Sequence, residues 1–281
     1  MKFEVNAKLK YQVISDSTII LNIHALNNEH QKVMEERFTT NPSVKFKALK
    51  SLSAENRLMS IEIPPQENFS INYQAVVDNV FEIKDYTEVS DLVIAKLSPE
   101  TLTYLHPSRY CQSDRLYRLA NNMFGYKAND FAKVSALTHW IYLNVEYLSG
   151  STNAQTSAYD TVTEQAGVCR DFAHLGIALC RALTIPARYF TGYSYLLSNP
   201  DFHACFEAYI NGSWLLFDAT KLVPLNGMIK IATGRDAADA AVASIFGDVN
   251  FVSSEASCQL LETDFEPFYA DYLGANGISY L

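Results

Sequence analysis

A cysteine, a histidine and an aspartate occur in this chain in an order that fits a nucleophile, its base and an orienting acid. Cys169 lies in Gly167-Val168-Cys169-Arg170-Asp171-Phe172-Ala173-His174, His203 in Asp201-Phe202-His203-Ala204-Cys205, and Asp218 in Trp214-Leu215-Leu216-Phe217-Asp218-Ala219-Thr220. The glycine turn places Cys169 where an apolar helix begins. Backbone N–H groups there have no intrahelical acceptor and, with the helix dipole, favour an anion. The thiolate rather than the thiol is the nucleophile, so the position suits a reactive cysteine. An imidazole can share or take the thiol proton and later protonate a leaving amine, while a carboxylate fixes the imidazole tautomer. The chemistry expected of such a set is attack on a carbonyl carbon, with the oxyanion held by backbone N–H groups near Cys169.

These residues need elements that bring them together. Ala187 to Tyr195, Ala204 to Ile210 and Trp214 to Phe217 read as strands, and Asn211-Gly212 between the last two is a type I′ hairpin signal. With that loop Ile210 pairs with Ser213, so His203 faces Thr220 and Cys205 faces Asp218. His203 and Asp218 then share one face as diagonal neighbours, roughly 7–8 Å apart at the backbone and within reach of each other's side chains. A slip of one residue would put them on opposite faces. The helix after Cys169 is apolar on most sides and therefore buried, and it should end by Thr184 or Ile185 because Pro186 disfavours helical geometry before it.

Upstream, Phe3 to Val13 alternates apolar and polar residues. Further period-2 runs at Ile19-Leu21-Ile23, Met59-Ile61-Ile63 and Phe69-Ile71-Tyr73-Ala75 imply a small antiparallel β domain ending near Asp78. Beyond Tyr86 the period lengthens: Leu116, Leu119 and Met123, then Phe131, Val134, Leu137, Ile141 and Val145, mark amphipathic helices, the second capped by Asn129 or Asp130. After Thr220 the chain turns loop-like through Gly234-Arg235-Asp236-Ala237-Ala238-Asp239, followed by a last alternating run from Asn250 to Ser254.

The 281 residues are 48% hydrophobic, enough for a substantial core, and 22 basic against 31 acidic residues give a formal charge of −9. With no Lys/Arg run to track phosphates, nucleic acid is not expected as a partner. No apolar run reaches the roughly 18–20 residues of a membrane span, and Met1-Lys2-Phe3-Glu4 leads into a strand rather than a signal sequence, so the chain reads as cytoplasmic. Its cysteines, Cys111, Cys169, Cys180, Cys205 and Cys258, are odd in number and fit free thiols in a reducing compartment. None forms a Cys-x-x-Cys pair and the histidines lack ligand spacing; neither metal nor cofactor is expected.

Gly167 to Leu175, Ile185-Pro186-Ala187-Arg188-Tyr189, Gly192-Tyr193 and the His203 and Asp218 strands together resemble the bacterial transglutaminase-like superfamily, papain-like Cys/His/Asp enzymes. The Gly234 to Asp239 run resembles a motif of one bacterial branch, and the likeness is strongest over residues 116–246. The resemblance implies an α+β fold: a papain-like core over 81–281, including a helical connection, preceded by an N-terminal antiparallel β-sandwich-like domain over 1–80. It implies Cys169 as nucleophile, His203 as base and Asp218 as orienter, acting on protein or peptide amides by hydrolysis or acyl transfer through a thioester. Many relatives carry Trp two residues after the histidine and Pro after the aspartate, where this chain has Cys205 and Ala219. The competing reading is a non-catalytic peptide-binding protein that retains the fold.

Around the triad, His174 is expected to be a core histidine bonded to backbone, and Trp140 and Tyr147 to be core aromatics rather than cleft walls. Cys111 and Cys180 fit core packing, whereas Cys205 shares a face with His203 and is a candidate partner for a Cys169 disulfide. Arg235 and Asp236 either shape the cleft mouth or lock a loop by an ion pair.

Overall fold

The computed structural model describes residues 1–50, 55–89, 92–269, 271 and 274–280. The alternation at the start of the chain builds two four-stranded antiparallel sheets that share a core. One joins β1 (Lys2–Val13), β3 (Gln31–Asn41) and β6 (Gln66–Asn79); the other joins β2 (Ser17–Leu21), β4 (Phe46–Lys50) and β5 (Arg57–Ile63). The register between β1 and β6 explains why period-2 patterning was decisive: Phe3 sits opposite Val77, Val5 opposite Ala75, Leu9 opposite Ile71 and Tyr11 opposite Phe69. All eight side chains are buried, so a slip of one residue would turn the whole set to solvent.

Two strands from far along the chain complete these sheets. β14 (Ala243–Phe246) pairs with β2, and β15 (Val249–Leu260) pairs with β1 across most of its length. The alternating run at Asn250 to Ser254 thus belongs to the β unit at the other end of the sequence.

Next come β7 (Glu82–Asp85), the short α1 (Pro99–Leu102), α2 (Ser113–Phe124) and α3 (Asp130–Asn144). Asn129 caps α3, its side-chain oxygen accepting the Ala132 N–H at 2.9 Å; α3 buries Phe131, Val134, Leu137 and Ile141 on one side. After α4 (Ala158–Glu164), α5 (Cys169–Ala182) runs through the core with every residue from Asp171 to Ala182 buried. It packs against a six-stranded antiparallel sheet built from β13 (Met228–Gly234), β10 (Ala187–Ser194), β11 (His203–Ile210), β12 (Ser213–Phe217), β16 (Asn276–Ser279) and β7, in that order. Gly176 allows the close approach of α5 to the sheet: a Cβ at this position would lie 2.4 Å from the Phe206 ring. None of the helices is long and apolar enough to cross a membrane among the described residues.

The segment after Thr220 corrects the loop-like reading. β13 is a fully buried strand, and because both its faces are covered its side chains show no alternation to read. It lies at the edge of the six-stranded sheet, and side-chain amides replace the missing neighbour strand. Gln31 accepts the Lys230 N–H and donates to the Lys230 carbonyl, both at 2.8 Å. Asn56 accepts from Thr233 N–H at 3.0 Å and donates to its carbonyl at 2.8 Å, and Asn79 donates to the Met228 carbonyl at 2.8 Å. The edge is thereby closed by residues of the N-terminal β unit.

Candidate active site

Each of the three chemical residues sits at the end of an element. Cys169 is the first residue of α5, His203 the first of β11, and Asp218 follows the last residue of β12. The hairpin has the register expected from its turn: Ile210 faces Ser213 and Phe206 faces Phe217, with Asn211 and Gly212 at φ 50° and 85°. Continuing that register brings His203 and Asp218 together, with Nε2 to Oδ2 at 2.9 Å. Both are sealed from solvent, His203 at 1% and Asp218 at 2% exposure, whereas Cys169 is half-buried.

Asp218 is itself fixed by Thr220, whose backbone N–H and hydroxyl both donate to Oδ1, at 2.8 and 2.7 Å. Burial alone would push His203 toward its neutral form. The adjacent Asp218 carboxylate, the neighbouring Cys205 charge and the hydrogen bonds that link the ring to Asp218 and Cys169 outweigh this and hold the imidazole well above its ordinary range. With Nε2 committed to Asp218, Nδ1 remains for a proton exchanged with a thiol.

The turn before Cys169 is held by Asp171. Its fully buried carboxylate accepts the Val168 N–H at 3.0 Å, closing the first turn of α5, and pairs with Arg170 at 3.0 Å. Arg170 in turn donates to the Asn153 carbonyl at 2.7 Å. Gly167 is required by this arrangement, since a Cβ there would lie 2.8 Å from Asp171 Cβ. An acidic residue three positions after a helix cap is a readable signal for this positioning role.

Tyr147 corrects the expectation of a core aromatic. It is 43% exposed, and its hydroxyl interacts with both the backbone N–H and the thiol of Cys169. What places it there is a parallel ladder of two residues, β8 (Glu146–Tyr147) beside β9 (Ala166–Gly167), extended by a bond from Leu148 N–H to the Gly167 carbonyl at 2.9 Å. Burial, reinforced by the nearby Cys169 charge, pushes the phenol up to about 12, so it keeps its proton at neutral pH.

Trp140 packs edge-on against Phe124 with centroids 6.2 Å apart, in the helical layer as expected. His174 is fully buried, accepts the Ala237 N–H at 3.2 Å and stacks on Tyr110, the backbone-bonded core histidine the sequence implied. Arg235 locks its loop through Asp239 rather than Asp236, with Nε to Oδ2 at 2.8 Å. Asp236 is buried and accepts N–H groups of Tyr110 and Ala238, both at 2.9 Å. Cys111, Cys180 and Cys205 are buried, and all five cysteines are free thiols in the structure. Cys205 lies beneath the His–Asp pair: one donor atom from each of His203, Cys205 and Asp218 falls within 4.8 Å of the others. Burial first, then the Asp218 charge, pushes its thiol up to about 12.

Comparison with known proteins matches this chain to one family. Residues 1–100 match the bacterial transglutaminase N-terminal domain and residues 117–219 the transglutaminase-like superfamily. A crystal structure from Cytophaga hutchinsonii, described provisionally as a cysteine protease, is 52% identical, covers 100% of this chain and 98% of its own, and superposes with a TM-score of 0.97. An uncharacterized protein of Mycobacterium leprae is 32% identical over 117 residues, covering 38% of this chain and 42% of the relative. One from Mycobacterium bovis is 32% identical over 152 residues, covering 48% and 47%. The chain spans about half the length of these curated relatives. With an N-terminal domain of the bacterial type and a papain-like α+β core, this chain belongs to the transglutaminase-like superfamily.

Proposed function

We propose that this chain is a thiol-dependent enzyme acting on protein or peptide amides through a Cys169 thioester, by hydrolysis or by transfer of the acyl group to an amine. The carrying observation is the buried His203–Asp218 pair at 2.9 Å, set against a half-buried Cys169 at the start of α5. In this reading His203 Nδ1 shares or takes the thiol proton and Cys169 Sγ attacks the substrate carbonyl carbon. The same imidazole nitrogen then protonates the departing amine as the C–N bond breaks. Water or a second amine attacks the thioester, giving up its proton to His203 and returning the thiolate. Asp218 keeps Nε2 protonated throughout and stabilises the imidazolium.

The Tyr147 hydroxyl interacts with both the Cys169 backbone N–H and its thiol. In this role the hydroxyl and that N–H receive the oxyanion, each preorganised donor contributing about 2.7–4 kcal/mol in a favourable case. Tyr147 supplies the second donor, and Phe172, whose ring lies 5.8 Å from that of Tyr147, backs it. No cofactor enters any step.

The test is incubation with a peptide library and a primary amine, reading released and amine-modified products together by mass spectrometry. Both should depend on Cys169, and Cys169→Ala should also abolish labelling by an iodoacetamide probe. Equal labelling of the variant, or binding of peptides with no product of either kind, would favour a peptide-binding protein that retains the fold.

A further inference from the structure

We infer that His203, Cys205 and Asp218 form a binding site for a soft divalent cation of the zinc type, which silences the candidate triad from its buried side. The binding stands on the ligand geometry alone; the silencing rests on the functional reading above. The three residues offer an imidazole nitrogen, a thiolate and a carboxylate oxygen, the donor types zinc takes. Their donor atoms lie within 4.8 Å of one another. At zinc distances of about 2.0–2.3 Å, two ligands of a tetrahedral centre are about 3.3–3.8 Å apart. Closing the set thus takes shifts of about 1 Å, within reach of side-chain rotation. Three protein ligands leave a fourth position for water.

The helical and CxxC spacings that usually betray metal sites are absent because the hairpin does the assembling. His203 and Cys205 are two apart on one strand, hence on one face, and Asp218 enters from just past the end of the partner strand. On binding, Cys205 gives its thiol proton to solvent. The single ring proton of His203 moves from Nε2 to Nδ1, and the metal takes its place between Nε2 and Asp218 Oδ2. The ring, bound to the metal and protonated at Nδ1, has no lone pair left to take the thiol proton, while Cys169 is not part of the ligand set. This separates the site from capture of a metal by the nucleophile itself, a hazard of any reactive thiol.

The experiment titrates purified full-length protein with Zn2+ by calorimetry and, in parallel, with Co2+ as a spectroscopic probe, in wild type, Cys169→Ala, Cys205→Ala and Cys205→Ser. One Zn2+ should bind per chain in wild type and in Cys169→Ala, with a thiolate-to-cobalt charge-transfer band in both. Loss of a ligand should weaken binding by about 100-fold or more and remove the band in both Cys205 variants. Unchanged near-ultraviolet circular dichroism shows that the fold is kept, and two substitutions at this position guard against one that perturbs it. No stoichiometric binding in wild type, a band that survives in Cys205→Ala, or a band lost in Cys169→Ala would each overturn the assignment. Stoichiometric binding without any acyl chemistry would leave the site intact and remove only the functional reading.

Discussion

Asp218→Asn is nearly isosteric, yet the structure gives it a large effect. Oδ1 accepts two hydrogen bonds from Thr220, at 2.8 and 2.7 Å. In the variant the amide oxygen keeps both, and its NH2 group is turned toward His203 Nε2. That nitrogen must then accept, so the ring proton moves to Nδ1 and faces the thiol. A ring protonated there has no lone pair with which to take the Cys169 proton. The carboxylate charge is lost as well. Opposite charges about 4 Å apart interact by about 4 kcal/mol at an effective dielectric of about 20, equivalent to about three decades in the imidazolium population. Wrong tautomer and lost charge act on the same step, so they do not simply add. Thioester formation should slow by about 10³–10⁴-fold, while substrate affinity stays within a few-fold because Asp218 is sealed from the cleft. A quenched single-turnover experiment on a peptide amide, with the acyl-enzyme read by mass spectrometry, isolates the step. An acylation rate within tenfold of wild type would show that His203 is not oriented through Asp218, and the reasoning would fail.

Tyr147→Phe should lower kcat by about 10–100-fold, or about 1.4–2.7 kcal/mol, with KM little changed, in steady-state kinetics on the same substrate; the figure sits below a fully buried donor because the ring is half exposed. Gly167→Ala forces a Cβ against Asp171 at 2.8 Å; about 1–3 kcal/mol should be lost in urea unfolding, and iodoacetamide labelling of Cys169 should slow as its turn shifts. Glu207 is fully buried between Arg188 and Lys230, at 2.5 and 2.7 Å. Burial disfavours its charge, but the two cations hold its carboxyl below the ordinary range. Its stabilisation is therefore complete above the usual carboxylate range and fades as pH falls through the lowered value. Glu207→Gln should cost about 3–5 kcal/mol at neutral pH and flatten that acid limb in pH-dependent thermal unfolding.

What could be read without coordinates was whatever local chemistry dictates. Asn211-Gly212 permits positive φ at both turn positions, which sets the hairpin register and, through it, the meeting of His203 with Asp218. Asn129 capping α3 and Pro186 ending α5 are likewise local. The features that escaped are those whose cause lies elsewhere in the chain. Tyr147 reaches Cys169 only because two residues of β8 lie beside β9, a ladder too short to leave a periodic trace. β13 hides because burial on both faces erases alternation, and β14 and β15 find their partners at the opposite end of the sequence. Cys205 could be placed beside His203 from the strand period, but a ligand set drawn from two strands of a hairpin has no linear signature.

The amides of Gln31, Asn56 and Asn79 carry a consequence for folding order. An open strand edge recruits other chains, and here the edge of the sheet that bears His203 is closed only once the N-terminal unit has docked. Cut away from residues 1–80, the part of the chain that holds Cys169, His203 and Asp218 would expose the β13 edge and strip β14 and β15 of their partners. The last strands of the chain each complete a different sheet: β14 joins β2, β15 joins β1, and β16 links β12 to β7.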